Sequence, residues 1–175
     1  MSWDEQQLQT HLETMAKAIT EQYGDSSPLL VGIESGGAWV AQALNEKLAK
    51  PLPMGTLNPA FYRDDFDTRG LKSTVSPSKL PLEVDGQHIL LVDDVLMTGR
   101  TIRSAMNELF DFGRPASMAL VVLFGIGHRQ LPIRADIFGE TLALPPHQRV
   151  ELRGPSPLVA EIRNLVVEDE TETRS

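Results

Sequence analysis

Apolar residues follow two different periods along this chain, and the alternation predicts helices and buried strands in succession. Near the N-terminus they recur every three or four positions, as on one face of a helix. That face comprises Leu8, Leu12, Met15 and Ile19. Turn-forming residues at 23–28 end this helix, and the fully apolar Leu29–Ile33 predicts a strand buried on both faces. A tight loop at 34–37 then leads into a second helix over about 38–49.

The same alternation continues towards the C-terminus. Apolar runs predict strands at 54–57, 89–92, 117–124 and 133–138. A helix is predicted at 103–112, on a face formed by Ile102, Ala105, Met106 and Leu109. An edge strand at 150–152 and a terminal helix at 157–165 complete the pattern. The fold class is therefore α/β, a mainly parallel sheet flanked by helices, with ligands expected at the carboxyl ends of its strands.

A polar stretch at residues 58–88 interrupts the pattern and contains Pro59, Pro77 and Pro81. Such a length within a compact domain is typical of a lid, a hairpin or disorder, so we expect a long flexible loop here. Arg63 lies in it between aromatic and acidic residues, where it could close over a ligand. The remaining chain predicts one domain at 1–167 and a disordered acidic tail at 168–175.

Composition excludes several classes of protein. The chain has 175 residues, 41% of them hydrophobic, and no cysteine, which rules out disulfides and thiolate metal sites and fits a cytoplasmic protein. No apolar run is long enough to span a bilayer, so we expect no membrane association. The net charge of -8 argues against a broadly basic nucleic-acid binder.

Residues 89–101 carry the clearest chemical signal. A strand leads into Asp93 and Asp94, and a Thr-Gly-Arg-Thr turn then opens a helix. Backbone N–H groups and hydroxyls at such a helix N-terminus suit a phosphate, while the carboxylates suit ribose hydroxyls or a divalent cation. Aspartates are also common at strand-to-helix turns simply because they form local hydrogen bonds. That explanation does not account for the order of the other residues in this segment.

Other phosphate loops and catalytic arrangements do not match. A P-loop would need Gly and Lys where this chain has Asp94 and Arg100, and Gly125 and Gly127 lack the third glycine of a dinucleotide fingerprint. Ser35 does not have the spacing of a nucleophile elbow. His128 shares no metal-ligand spacing with the other histidines.

Four segments, taken in order, resemble the pyrimidine-operon attenuator and uracil phosphoribosyltransferase family, PyrR. They are Phe-Tyr-Arg-Asp-Asp-Phe at 61–66, the strand and turn at 89–101, Phe-Gly-Arg-Pro at 112–115, and Gly-His-Arg-Gln-Leu-Pro-Ile-Arg-Ala-Asp at 127–136. The resemblance implies a type I phosphoribosyltransferase core with a small hood, the hood and loop elements lying within 58–88 and 125–142. It also implies a homo-oligomer that joins uracil to phosphoribosyl pyrophosphate (PRPP), giving UMP and pyrophosphate with Mg²⁺.

The resemblance also implies roles for individual residues. Asp94 and Arg63 would be catalytic, and His128, Arg129 and Ile133 would receive uracil in the hood. PRPP would be bound by the acidic pair and the turn, and its pyrophosphate by the loop before the second helix, while Mg²⁺ would be bound through PRPP with Asp93 as a further candidate ligand. The PRPP-binding residues are Asp93, Asp94, Thr98, Gly99, Arg100 and Thr101, and the pyrophosphate loop comprises Glu34, Ser35, Gly36 and Gly37.

This chain departs from the family pattern at three places that bear on function. Before the Gly-His-Arg of the hood, where the family carries Asp-Arg, it has Gly125 and Ile126. Where the family carries Thr-Arg-Gly in the pyrophosphate loop, this chain has Ser35, Gly36 and Gly37, preceded by Glu34. Its first helix has Glu-Thr-Met-Ala-Lys at 13–17 in place of Thr-Arg-Ile-Ala-His, which depletes the positive charge for an mRNA leader. Two alternatives to the uracil enzyme therefore stay open: a UMP- or UTP-sensing regulator acting through RNA or a protein, and a phosphoribosyltransferase for another base.

Overall fold

A computed structural model describes residues 1–59 and 78–165. Within these residues helices and strands alternate along most of the chain. The helices are α1 (Glu5–Tyr23), α2 (Gly36–Lys47) and α3 (Arg100–Phe112). The strands are β1 (Ser2–Trp3), β2 (Leu29–Ile33), β3 (Met54–Leu57), β4 (His88–Leu96), β5 (Ser117–Ile126), β6 (Ile137–Leu142), β7 (Gln148–Arg153) and β8 (Val159–Asn164).

Five of these strands form a parallel sheet in the order β3-β2-β4-β5-β6. The predicted fold class, a mainly parallel sheet flanked by helices, is therefore confirmed. Chain order reverses between β2 and β4, because β2 leads to β3 on one side and has β4 as its neighbour on the other. In open α/β sheets the crevice at such a reversal is where ligands bind.

Both faces of the sheet are covered, which explains why its strands are apolar without alternation. Leu30 and Val92 face a core shared with α1 and α2, while Val31 and Leu91 face a core shared with α3. The predicted apolar face of α1 is fully buried, and its N-terminus is closed by Asp4, whose side chain accepts a hydrogen bond from the backbone of Gln7 at 2.8 Å. The helix faces that periodicity predicts to be apolar thus pack in the cores on the two faces of the sheet.

The two ends of the described chain form a second sheet, in the order β1-β8-β7, which the sequence analysis did not anticipate. Trp3 attaches it to the main sheet, since its ring lies 4.7 Å from that of Phe124 and its Nε1 donates to Glu140 at 2.8 Å. The terminal helix predicted at 157–165 is wrong, because Val159–Asn164 is strand β8, paired with β7 along its whole length. The short apolar run fits the period of a helix and the period of a strand equally well, and its pairing with β7 decides in favour of the strand.

Other boundaries also differ from the predictions. The strand predicted at 133–138 is wrong in position, since β6 is Ile137–Leu142 and the residues before it are irregular. Helix α2 begins at Gly36 rather than at 38, so both glycines of the predicted loop are helical. β4 continues to Leu96, because residues beyond the acidic pair still pair with β5. No helix in the described ranges is long and apolar enough to cross a bilayer.

Candidate active site

The predicted acidic pair and pyrophosphate loop meet at the reversal of strand order. A Cβ placed on Gly36 would overlap the Asp94 carboxylate, with its Cγ at 2.6 Å, and one on Gly37 would lie 3.1 Å from Oδ1 of Asp93. The start of α2 therefore approaches the end of β4 more closely than any side chain would permit. The structure thus brings together the loops at 34–37 and 93–101, as predicted from the parallel sheet.

Asp93 and Asp94 occupy different environments although they are adjacent. Asp93 is buried, with 5% of its surface exposed, and its Oδ1 accepts the backbone N–H of Asp94 at 2.9 Å. Asp94 is half-buried, and its Oδ1 accepts the N–H of Val95 at 2.9 Å. Burial raises the pKa of Asp93 well above its ordinary value, and the nearby negative charge of Asp94 raises it further. A protonated Asp93 would be able to donate a hydrogen bond to Asp94.

Asp93→Asn is expected to remove a pH dependence of stability. Because the pKa of Asp93 is raised in the folded state, its contribution to stability is present below the unfolded-state pKa of about 3.9 and is lost as pH rises through the folded-state pKa. The amide of Asn stays neutral and can still accept the Asp94 N–H. Thermal unfolding in chelator from pH 4 to pH 8 should therefore show the variant gaining stability relative to wild type as pH rises. A constant difference across that range would show that Asp93 is not the titrating group.

The predicted phosphate turn, Thr98 to Thr101, joins β4 to α3. Gly99 precedes the helix with φ of 92°, a left-handed conformation that favours glycine. The Thr98 hydroxyl accepts the backbone N–H of Arg100 at 3.2 Å. The Arg100 side chain points elsewhere, since its Nε donates to Oε1 of Gln130 at 3.0 Å. The turn therefore presents backbone N–H groups and hydroxyls at a helix N-terminus, as a phosphate site requires.

Residues 127–136, here called the hood segment, pack against this turn. The backbone N–H groups of Gln130 and Leu131 donate to the Thr98 carbonyl at 3.0 and 3.2 Å. Asp136 anchors the far end of the segment to β5, because its carboxylate accepts the N–H of Leu120 at 2.7 Å. His128 hydrogen-bonds through Nε2 to the carbonyl of Leu144. A carbonyl can only accept, so Nε2 carries the proton, and this ring anchors the segment to the chain beyond β6.

Two adjacent cavities open along the end of β4. The hood cavity has a volume of 330 Å³ and is lined mainly by apolar residues, together with Arg129 and Arg134. The turn cavity has a volume of 230 Å³ and includes Asp94, the hydroxyl-bearing residues of the turn and Arg149. Leu96 and Met97 line both cavities. An apolar compartment beside a polar one suits a ligand with a flat ring joined to a phosphorylated sugar.

The predicted pyrophosphate loop carries no cation. Glu34 and Ser35 are exposed, and the Glu34 N–H donates to the Leu57 carbonyl at 2.8 Å. The peptide between them is cis. The Ser35 side chain forms no capping hydrogen bond with α2. Binding of an anion here would rest on the backbone N–H groups at the start of α2.

The structure places six of the fourteen predicted site residues around these cavities. Asp94, Thr98, Gly99 and Thr101 line the turn cavity, whereas Arg129 and Ile133 line the hood cavity. Asp93 is buried against α2, while Arg100 and His128 are bonded as described above. Arg63 lies outside the described residues, so its catalytic role stays a prediction.

Two arginines at the cavities were missed by the sequence analysis. Arg134 belongs to the Pro-Ile-Arg-Ala-Asp run at 132–136, so its motif was recognised but its role was not. Arg149 lies on β7 in the second sheet, and no motif surrounds it. Its place beside the turn follows from strand pairing between chain ends, which periodicity does not reveal.

Comparison with known proteins gives consistent results. The family described as "Phosphoribosyl transferase domain" matches residues 4–146. A "Bifunctional protein PyrR" of Pseudomonas fluorescens is 53% identical over 92% of this chain and 96% of its own length. A second, from Pseudomonas putida strain GB-1, is 57% identical over 80% of this chain and 81% of its own. A hypoxanthine-guanine phosphoribosyltransferase from Bacillus anthracis superposes with a TM-score of 0.68 at 16% identity, covering 94% and 96% of the two chains, which supports the fold alone.

Proposed function

This chain belongs to the phosphoribosyl transferase domain family and, within it, to the PyrR family, and we propose that it joins uracil to PRPP with release of pyrophosphate. N1 of uracil would form a bond to C1′ of the ribose while the bond from C1′ to pyrophosphate breaks, and the N1 proton would leave to solvent. The observation that carries this proposal is the pair of adjoining cavities, which share Leu96 and Met97 at the carboxyl end of β4.

The two cavities divide the work of binding. The turn cavity would receive the ribose 5-phosphate, with the phosphate on Thr98, Gly99 and Thr101 and the ribose beside Asp94. The hood cavity would receive the base near Arg129 and Ile133. Departure of pyrophosphate leaves a positively charged ribose, which the ionised Asp94 would stabilise. Positioning of the base beside the ribose and stabilisation of the separated charges would accelerate the reaction, so no covalent intermediate is required.

Magnesium fits the donor groups at this site. No group of three or more metal-ligating side chains occurs in residues 1–59 and 78–165, so the side chains of these residues do not form a complete cage. Mg²⁺ typically binds one or two carboxylates together with substrate phosphates and water, and Asp94 is a carboxylate beside the proposed ribose site. When bound with PRPP, the ion would neutralise charge on the leaving pyrophosphate. Asp93, being buried with a raised pKa, is the weaker candidate ligand.

A second role as a regulator that senses UMP or UTP would use the same cavities, because UMP carries both a base and a phosphate.

RNA contact through α1 has little support in the structure. Lys17 lies 3.8 Å from Glu21, and Lys47 lies 3.6 Å from Glu13, so the cations near this face are paired with acids. We propose that the protein is homo-oligomeric and cytoplasmic. As a regulatory partner, an mRNA leader is less favoured than another protein. Binding to that leader, if it occurs, should weaken steeply as salt rises.

The proposal is tested by measuring UMP formation from uracil and PRPP with Mg²⁺, with orotate, hypoxanthine and adenine as competing bases. Turnover of uracil alone is the expected result. Preferred turnover of a purine or orotate would identify a phosphoribosyltransferase for another base. UMP binding without turnover of any base would instead identify a sensor that has lost catalysis.

A further inference from the structure

We propose that Arg149 of β7 binds the 5′-phosphate of PRPP and UMP, which makes the second sheet part of the substrate site. This inference rests on the proposed function, since it names a further binding residue of the same site. It starts from the turn cavity, whose lining combines residues of the phosphate turn with Arg149 and Val150.

The charges at this cavity favour an anion beside Arg149. Among the described residues that line it, Asp94 is the acid and Arg149 is the one cation. Arg100 belongs to the turn, but it does not line the cavity and its guanidinium is engaged with Gln130 in the hood segment. A phosphate on the turn backbone would therefore share the cavity with a cationic side chain on β7, and a guanidinium forms strong charge-assisted bonds with phosphate oxygens.

Arg149 can reach a ligand without leaving an acid unpaired. It belongs to a charge cluster on β7 and β8 that contains more arginines than glutamates, namely Arg149, Arg153, Arg163, Glu151 and Glu161. Glu151 lies 3.8 Å from Arg149 but 3.5 Å from Arg163, so it keeps a partner if Arg149 turns away. Glu161 is bonded to both Arg153 and Arg163. The exposed pair of Arg149 with Glu151 costs little to break.

The position of Arg149 on its strand supports the same role. On the same strand, Val150 and Leu152 are buried in the core and hold β7 against the main sheet. Residues 149, 151 and 153 share the opposite face of the strand. Arg153 lies on this face at the same exposure as Arg149, 56% against 55% for the side chains, but does not line the cavity. The chain therefore supplies a matched control.

Arg149→Gln is expected to raise the KM for PRPP and the dissociation constant for UMP about tenfold, while the KM for uracil and the thermal midpoint stay close to wild type. Arg149→Lys should restore part of the affinity, and Arg153→Gln should behave as wild type. The effect must depend on the phosphate, so affinity for uridine, which lacks it, should be unchanged by Arg149→Gln.

Two results would overturn this inference without touching the proposed function. One is a wild-type KM for PRPP in Arg149→Gln, and the other is an equal loss with Arg153→Gln or with uridine, which would indicate a general effect of surface charge or structure. Failure of the wild-type protein to bind UMP or turn over PRPP would instead overturn the proposed function itself. Calorimetry with UMP and uridine, together with steady-state kinetics, separates these cases.

Discussion

Asp94→Asn is expected to lower kcat for UMP formation about 10²-fold, the size of effect typical when one preorganised electrostatic group is removed from a transition state. Asp94 is half-buried, lines the turn cavity and is the more exposed member of the acidic pair. Asparagine has nearly the same shape and can still accept the Val95 N–H. The variant should therefore fold normally and bind UMP, while losing stabilisation of the positive charge that develops on ribose.

The matched control is Asp93→Asn, made one residue earlier in the same strand. Asp93 is buried and its raised pKa favours the neutral acid, so a neutral amide changes the charge at the site much less. We expect its kcat to stay within about tenfold of wild type. Steady-state assays of both variants, with UMP titrations to verify binding, test the assignment. Asp94→Asn at wild-type rates, or a larger loss with Asp93→Asn, would mean that the wrong carboxylate has been assigned.

The sequence was sufficient for several elements of the main sheet and the candidate site, because each of them has a local signature. The apolar run of β2, the face of α1 and the Thr-Gly-Arg-Thr turn before α3 are short-range patterns, and the parallel sheet then brings their ends together. The second sheet has no such signature. Its strands β1 and β8 pair across nearly the full described chain, with Trp3 opposite Ala160, and local periodicity carries no information about a partner so distant.

The candidate site also contains residues that a local motif identifies and residues that it does not. Asp94 and Thr98 were identifiable because they lie in one continuous motif, whereas Arg149 reaches the turn cavity only through the pairing of β7 with β8. His128, a motif residue expected to receive the base, has its Nε2 bonded to the Leu144 carbonyl, and its role towards the base stays a prediction. Motif membership identifies residues that the fold requires as well as those that a ligand requires.

Gly37→Ala is expected to lower the free energy of unfolding by about 2–3 kcal/mol, as overpacking at a site without room typically does. At an unhindered helical position alanine would be the better residue by about 1 kcal/mol. Here its Cβ would lie 2.5 Å from the Val92 carbonyl oxygen and 2.9 Å from Cα of Asp93, both backbone atoms of a central strand. Neither can move without disturbing β4, so α2 would have to shift away from the sheet.

Gly36→Ala is the control, because it makes the same change one position earlier in the same helix. Its Cβ would overlap the Asp94 carboxylate, a side chain that can rotate away, so we expect a small change in stability but at least about a tenfold loss of kcat/KM as Asp94 leaves its position. Thermal unfolding and UMP-formation assays on both variants give a crossed pattern, with stability lost at Gly37 and activity lost at Gly36. Equal thermal midpoints for the two variants would show that α2 does not rest on the β4 backbone at Gly37. In this chain Gly36 stands where the family resemblance gives the loop a cation. Loss of activity in Gly36→Ala would show that the loop contributes here through the close approach of its backbone to the acidic pair.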